Sequence, residues 1–168
     1  TRMSNPITQH PNMNTGDLAP DLLGIDDQGN ELRLSQFRGQ KVVLYFYPKD
    51  NTSGCTAEAC SFRDHYAELQ QAGCVVIGVS ADSVKSHAGF RQKQQLPFHL
   101  VADTEHRLLE AYGVWGEKKM YGRTYMGIYR TTFLIDEEGR IARIFTPKEI
   151  KTKTHAQQVL QAVEHPSI

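Results

Sequence analysis

Apolar positions along the chain fall into short runs of different kinds, separated by polar turn clusters. Lys41 to Tyr47 is almost continuously apolar, β-branched and aromatic, and Pro48 ends it. A strand with so little polarity is expected at the centre of a sheet, covered on both faces. Cys74 to Val79 reads as a second buried strand and Phe98 to Ala102 as a short third one. Leu22–Asp26 and Glu31–Leu34 alternate instead, and flank the turn residues Asp27–Asn30, which predicts a β-hairpin. Thr131–Ile135 and Arg140–Phe145 flank Asp136–Gly139 in the same way. Helical spacing appears at Cys55, Ala59, Phe62, Tyr66 and Leu69, one amphipathic face closing near Gly73. Ser35 is placed to cap a short turn that ends at Gly39. Ser83 is placed to cap a helix that stops before Pro97, and Thr104–Tyr112 forms a short helix ended by Gly113. Thr154–Glu164 closes the chain as a helix with Val159, Leu160 and Val163 on one face. Strands alternating with helices, then a hairpin and a last helix, predict an α/β layered sandwich around a mixed sheet.

Length and charge narrow the function. The chain has 168 residues, enough for one domain. The domain is expected over residues 16–168. Thr1 to Thr15 is polar and without period, and reads as a flexible arm whose Thr1-Arg2 is a tag remnant. Lys+Arg and Asp+Glu both number 19, so there is no basic footprint for nucleic acid and no general attraction to an anionic membrane. The longest apolar run, Val42 to Tyr47, is far short of a bilayer span. The runs Lys118-Lys119 and Lys148–Lys153 read as solvated charge. Three cysteines suit neither a secreted disulfide scaffold nor an oxidising compartment, and the first residues lack the apolar core of a secretory signal. The expectation is a reducing, cytoplasmic setting, where a cysteine is reactive or buried.

The sharpest chemical signal is Pro48-Lys49-Asp50-Asn51-Thr52-Ser53-Gly54-Cys55, between the end of a buried strand and the start of a helix. First-turn N–H groups have no intrahelical partner and carry partial positive charge, so they favour an anion such as a thiolate. An ordinary thiol near pKa 8.5 is only a few per cent thiolate at neutral pH, whereas one lowered to about 6 is about 90% thiolate. Spacing leaves two readings of Cys55 open: an activated nucleophile, or a small packing residue in register with Ala59 and Phe62. Cys60 lies further along the same helix. On an ideal helix the two Cα atoms stand roughly 8–9 Å apart, beyond the roughly 7 Å a disulfide tolerates. Either Cys60 is a packing thiol, or the first turns unwind to let it meet Cys55. Cys74, opening a buried strand beside Val75, reads as a core thiol. Cys55, Cys60 and His65 give only a weak zinc pattern, and no Cys-x-x-Cys is present. Arg130 enters a buried strand and needs an anionic partner there, unless its head reaches water. Arg63, beside Asp64, reads as a surface ion pair.

These residues together resemble a peroxiredoxin. Pro48, Thr52 and Cys55 fill the pattern Pro-x-x-x-Thr-x-x-Cys, and the offset to Cys60 is similar to the Q subfamily, the bacterioferritin-comigratory-protein-like branch. The likeness runs from about Leu18 to Phe145 and includes Gly78-Val79-Ser80, Tyr112–Lys118 and Tyr125–Asp136. It implies a thioredoxin-like fold and a thiol peroxidase acting on hydrogen peroxide and organic hydroperoxides. By the same resemblance Cys55 is the peroxidatic thiol and Cys60 the resolving one, joined in an intramolecular disulfide. Thr52 hydrogen-bonds the thiolate and peroxide, Arg130 stabilises both, and Pro48 shields the sulfur. It also implies a monomer recycled by thioredoxin or a glutaredoxin-like dithiol, with no cofactor and no metal. A redox-switched binding or chaperone protein using the same thiols is the rival reading. Ser53 stands where the subfamily often has Pro, and with Gly54 it predicts a loose first turn and resistance to excess peroxide.

Overall fold

The computed structural model describes residues 13–165 of the chain. The arm expected at the N-terminus lies outside the described residues up to residue 12. Met13 packs against the core, and the Gly16 N–H donates to the Ile141 carbonyl at 2.7 Å.

Five strands form the central sheet in the order β5-β4-β3-β8-β9: β3 (Lys41–Phe46), β4 (Cys74–Ser80), β5 (His99–Ala102), β8 (Thr131–Ile135) and β9 (Ile141–Phe145). β3, β4 and β5 are parallel, while β8 runs antiparallel to β3 and β9 to β8. The apolar run at Lys41–Phe46 is explained by its neighbours. Val43 and Tyr45 face a core that also holds Cys55, Ala59, Phe62, Phe90 and Val159. Val42, Leu44 and Phe46 face a second core with Leu23, Leu109, Tyr112 and Ile135. Side chains alternate across a strand, so only a central strand covered on both faces needs apolar residues at every position.

The first face is covered by α1 (Ser53–Asp64), α2 (Tyr66–Gln71), α3 (Val84–Gln94) and α5 (His155–Glu164). Ser83 caps α3 as expected, its Oγ accepting from the Ser86 N–H at 3.1 Å. The second face is covered by the hairpin β1 (Leu22–Ile25) and β2 (Glu31–Arg33), and by α4 (Arg107–Ala111). Among the described residues no helix is long and apolar enough to cross a membrane.

Ser35 does not cap its turn but lies inside it, in the short 3-10 turn Leu34–Phe37 whose N-cap is Arg33, and two larger features also differ from the expectation. The single helix closing near Gly73 is two helices, broken at His65 (φ −110°, ψ 16°). The His65 ring nitrogen Nδ1 lies 3.0 Å from the Ser61 carbonyl, the same oxygen that accepts the His65 N–H at 3.2 Å. A side chain competing for a helical carbonyl loosens the ladder there. The second feature is a hairpin that the apolar pattern does not reveal: β6 (Trp115–Met120) and β7 (Arg123–Ile128). Its two-residue turn, Tyr121-Gly122, has positive φ at both positions, 54° and 76°. Such turns normally declare themselves through Asn-Gly or Asp-Gly. Here a tyrosine in the left-handed region hides the signal. Met120, Tyr121, Tyr125 and Met126 are exposed, so no buried face imposes an alternation.

Candidate active site

The chain leaves the sheet at Phe46, turns at Pro48, and enters α1 through Thr52 as N-cap (φ −83°, ψ 157°). The Thr52 carbonyl accepts from the Thr56 N–H at 2.8 Å, closing the first turn. Its hydroxyl does not cap the helix. It donates to the Lys49 carbonyl at 2.8 Å, tying the loop to itself. The expected bond from Thr52 to the sulfur is therefore not made. With its proton committed to Lys49, the hydroxyl has acceptor lone pairs to offer a bound peroxide.

Cys55 is the third residue of α1 and is 1% exposed. Its surroundings contain elements of both readings left open by its spacing. It packs with Ala59 and Phe62, and it also meets a cation: Arg130 Nη2 donates to its Sγ at 3.4 Å. Gly54 makes room for that approach, since a Cβ there would lie 3.3 Å from Arg130 Nη2.

The anionic partner that Arg130 needs is more than the thiol. Nη1 donates to Glu58 Oε1 at 2.6 Å, so the guanidinium forks between a sulfur and a carboxylate. Burial would lower the Arg130 pKa, but Glu58 and Cys55 outweigh it and raise it. Glu58 is fully buried, and burial pushes its carboxyl up to about 7 against the pull of Arg130. Its second oxygen has no hydrogen-bond partner and lies 3.9 Å from His155 Nε2. Burial holds the His155 ring down to about 4, hence neutral. The ring lies between Thr132 Oγ1 on Nε2 and Gln158 Oε1 on Nδ1, both at 2.8 Å. Glu58 is absent from the site expected on sequence grounds. The signal available was an acid three residues beyond Cys55, on the side that a helix turns toward the same neighbours.

Cys60 is half-buried, and its Sγ lies 3.5 Å from Gln94 Oε1 at the end of α3. It shares the intact α1 with Cys55, and all three cysteines are free thiols. Arg63 pairs with Asp64 at 3.0 Å as expected, and also donates to the Gln94 carbonyl at 2.7 Å. Cys74 is buried, and burial pushes its thiol up to about 11. Cys55, Cys60 and His65 are not gathered into a ligand set. The group with metal-ligand spacing among the described residues is Asp50, Asp82 and His87.

Pro48 lines an open cleft of about 410 Å³ together with Lys49, Trp115, Lys118, Tyr125 and Met126. Lys118 is not the solvated charge expected of it. It is half-buried and donates to the Ile128 carbonyl at 2.9 Å. Burial and the Arg130 charge lower its pKa, while the Cys55 sulfur works against them.

A mixed sheet with helices on its faces, and a buried thiol at a helix start beneath a guanidinium, together define a thiol-based oxidoreductase. Comparison with known proteins makes this specific. Residues 15–144 match the model of the AhpC/TSA family, and the chain belongs to that family. It is 48% identical to peroxiredoxin Bcp of Bacillus subtilis over 89% of this chain and 94% of that one. Peroxiredoxin Q of Xylella fastidiosa superposes with a TM-score of 0.83 at 37% identity, covering 93% of this chain and 98% of that one. The bacterioferritin comigratory protein of Xanthomonas campestris, described for its alkyl peroxide reduction activity, gives 0.79 at 37% identity over 90% and 100% of the two chains. The fold is thioredoxin-like, and the protein is a thiol peroxidase of the Bcp and peroxiredoxin Q kind.

Proposed function

We propose that Cys55 is the thiol that attacks the peroxide and Cys60 the thiol that resolves the product. The observation that carries this is the fork of Arg130, which holds the Cys55 sulfur at 3.4 Å with one nitrogen and Glu58 at 2.6 Å with the other. In the first step the Cys55 thiolate attacks one peroxide oxygen. An S–O bond forms and the O–O bond breaks. The electron pair leaves on the second oxygen, which takes a proton and departs as water or alcohol, leaving Cys55 as a sulfenic acid. Arg130 and the first-turn N–H groups face the charge as it passes from sulfur to oxygen. Thr52 accepts a hydrogen bond from the incoming hydroperoxide, and Pro48 shields the sulfur. The cleft beside Pro48 has room and apolar lining for the organic part of an alkyl hydroperoxide, so both hydrogen peroxide and organic hydroperoxides are substrates in this reading.

In the second step the Cys60 sulfur attacks the sulfenic sulfur, water leaves, and a disulfide forms. Both thiols sit on one helix, so the first turns of α1 unwind for this step. A disulfide closing so short a loop is readily opened by an external dithiol, thioredoxin or a glutaredoxin-like protein, which supplies the two electrons. No second chain is required, and the reading is of a monomer in the reducing cytoplasm. Cys74 takes no part, because burial keeps its proton on.

The test is intact mass and free-thiol count after one equivalent of hydrogen peroxide. The native protein is expected to lose a pair of hydrogens and a pair of thiols. Cys60→Ser gains a single oxygen, and Cys55→Ser does not react. Oxidation of Cys55→Ser at the native rate overturns the reading. Turnover with a dithiol reductase system separates the enzyme from a redox-switched binding protein, which reacts without cycling.

A further inference from the structure

Between Pro48 and Thr52 lies a side chain that the chemistry above does not use. Asp50 is 5% exposed, although it sits in the loop that delivers the helix start. Tyr47 donates to its Oδ1 at 2.6 Å, and Ser86 donates to its Oδ2 at 2.8 Å. His87 Nδ1 lies 2.7 Å from the same Oδ2, and the ring is clamped from behind by the Val101 carbonyl, 2.9 Å from Nε2. The Asp50 N–H donates to Asp82 Oδ2 at 2.9 Å, and Asp82 accepts from the Ser80 hydroxyl at 2.6 Å. Asp50, Asp82 and His87 bring ligand atoms within 4.8 Å of one another, yet each has protein partners, so the cluster is a clasp and not a vacant ligand set.

The residues after Asp50 are held differently. Asn51 is in the left-handed region, φ 66°, and exposed. Beyond it Thr52 is tied to Lys49 and Thr56, and Cys55 to Arg130. Up to Asp50 the loop is fastened to its surroundings by buried side-chain bonds; from Thr52 on, the chain is held by a single bond back to Lys49, by its own first turn and by Arg130, so the clasp ends at Asp50.

We propose that Asp50 is a positioning residue for the peroxidase reaction: its clasp on Ser86 and His87 fixes the loop that presents Thr52 and Cys55, and marks where unwinding toward Cys60 stops. This rests on the roles given above to Cys55 and Cys60. The reaction of the thiol needs the folded helix start, whereas disulfide formation needs it unwound. Loosening the clasp therefore moves the two steps in opposite directions. General loss of stability does not, because well below the melting temperature nearly all molecules remain folded.

The experiment is rapid quench with thiol alkylation and mass analysis. It follows sulfenic acid formation and then disulfide formation in the native protein, Asp50→Ala, Asp50→Asn, Ser86→Ala and Val159→Ala. Asp50→Ala is expected to form sulfenic acid about tenfold more slowly and disulfide about threefold faster. Asn keeps the shape, its Oδ1 accepting from Tyr47 and its Nδ2 able to donate to Ser86 Oγ and His87 Nδ1, so Asp50→Asn recovers most of both rates. Ser86→Ala removes one bond and shows the same split at about twofold to threefold, which covers the case in which Asp50→Ala does not fold. Val159→Ala, a fully buried change in α5, lowers the melting temperature without the split. The proposal is overturned if Asp50→Ala and Ser86→Ala behave like Val159→Ala, or if both steps slow together. Failure of the underlying roles shows separately, as a native protein that forms no sulfenic acid at Cys55.

Discussion

Cys55 and Cys74 are equally hidden, each 1% exposed, yet it is Cys55 whose sulfur accepts a hydrogen bond from a cation. Cys74 opens a strand, and burial pushes its thiol up to about 11. The nearby Lys41 works against that shift, but its charge is already met by Glu137 at 2.8 Å. Cys55 opens a helix instead and receives a hydrogen bond from Arg130 at 3.4 Å. Burial alone therefore makes an inert thiol. In the proposed mechanism the reactivity of Cys55 comes from the groups around it: the first-turn donors of α1, and a guanidinium held by a second anion, Glu58.

The largest expected effect lies in the two thiols themselves. Cys55→Ser lowers peroxide consumption by at least about a thousandfold, while Cys74→Ser stays within about twofold. The coupled peroxidase assay measures both. A Cys74→Ser enzyme that loses most of its activity would break the comparison. Next in size is Arg130. Arg130→Met removes the donor to sulfur and costs about a hundredfold in kcat/KM. It also strands Glu58 without its ion pair, which lowers stability by about 3–5 kcal/mol. Arg130→Lys keeps the charge but cannot fork, and should recover only part of the rate. Equal activity of Lys and Arg at this position would show that charge, and not the fork, is the property that matters.

Much of this site is legible in the sequence because it rests on local rules. Pro48, the turn cluster and the helical spacing from Cys55 place a thiol at a helix start without any tertiary information. Ser83 and Asp136–Gly139 announce a cap and a turn through side chains that bond their own backbone, as when Asp136 Oδ1 accepts from the Glu138 and Arg140 N–H groups at 2.9 Å. The features that are not legible are long-range or masked. Glu58 looks like any helix glutamate until Arg130, far along the chain, arrives at 2.6 Å. Lys118 looks solvated until the unannounced hairpin β6–β7 folds it against Ile128. The direction of the Thr52 hydroxyl, toward Lys49 and not toward the sulfur, depends on loop geometry that spacing does not encode.

Glu58 sharpens the comparison through pH. Its folded pKa, about 7, lies above the usual carboxyl value of 4.5. That contribution to stability is present below about pH 4.5 and is lost as pH rises through 7. His155 acts in reverse: held down to about 4 from 6.5, it contributes stability above pH 6.5 that is lost as pH falls through 4. Each is worth about 3 kcal/mol, so between pH 4.5 and 6.5 their two contributions are expected to cancel in the native protein. Glu58→Gln removes one side of the balance. Denaturant melts of that variant should gain about 3 kcal/mol across the window as pH rises. Its activity falls about tenfold, because Arg130 loses the anion that aims it. A variant whose stability stays flat would show that Glu58 and His155 do not titrate independently.

The smallest expected effect lies in Gly54, and it separates the two demands on the helix start. A methyl group there would stand 3.3 Å from Arg130 Nη2 and 4.0 Å from Thr152 Cγ2, so the guanidinium must give by a few tenths of an ångström. Against that, alanine favours a helix over glycine by about 1 kcal/mol. Gly54→Ala should therefore raise the melting temperature slightly while slowing sulfenic acid formation by about twofold. The same stiffening opposes unwinding, so disulfide formation slows by about fivefold, the equivalent of about 1 kcal/mol. A longer-lived sulfenic acid is exposed to a second peroxide, and sulfinic acid accumulates at lower peroxide excess than in the native protein. Mass analysis after graded additions of peroxide reads this directly. If Gly54→Ala resists over-oxidation as well as the native chain, the looseness of Ser53-Gly54 does not protect Cys55, and the rate of unwinding is set further along α1.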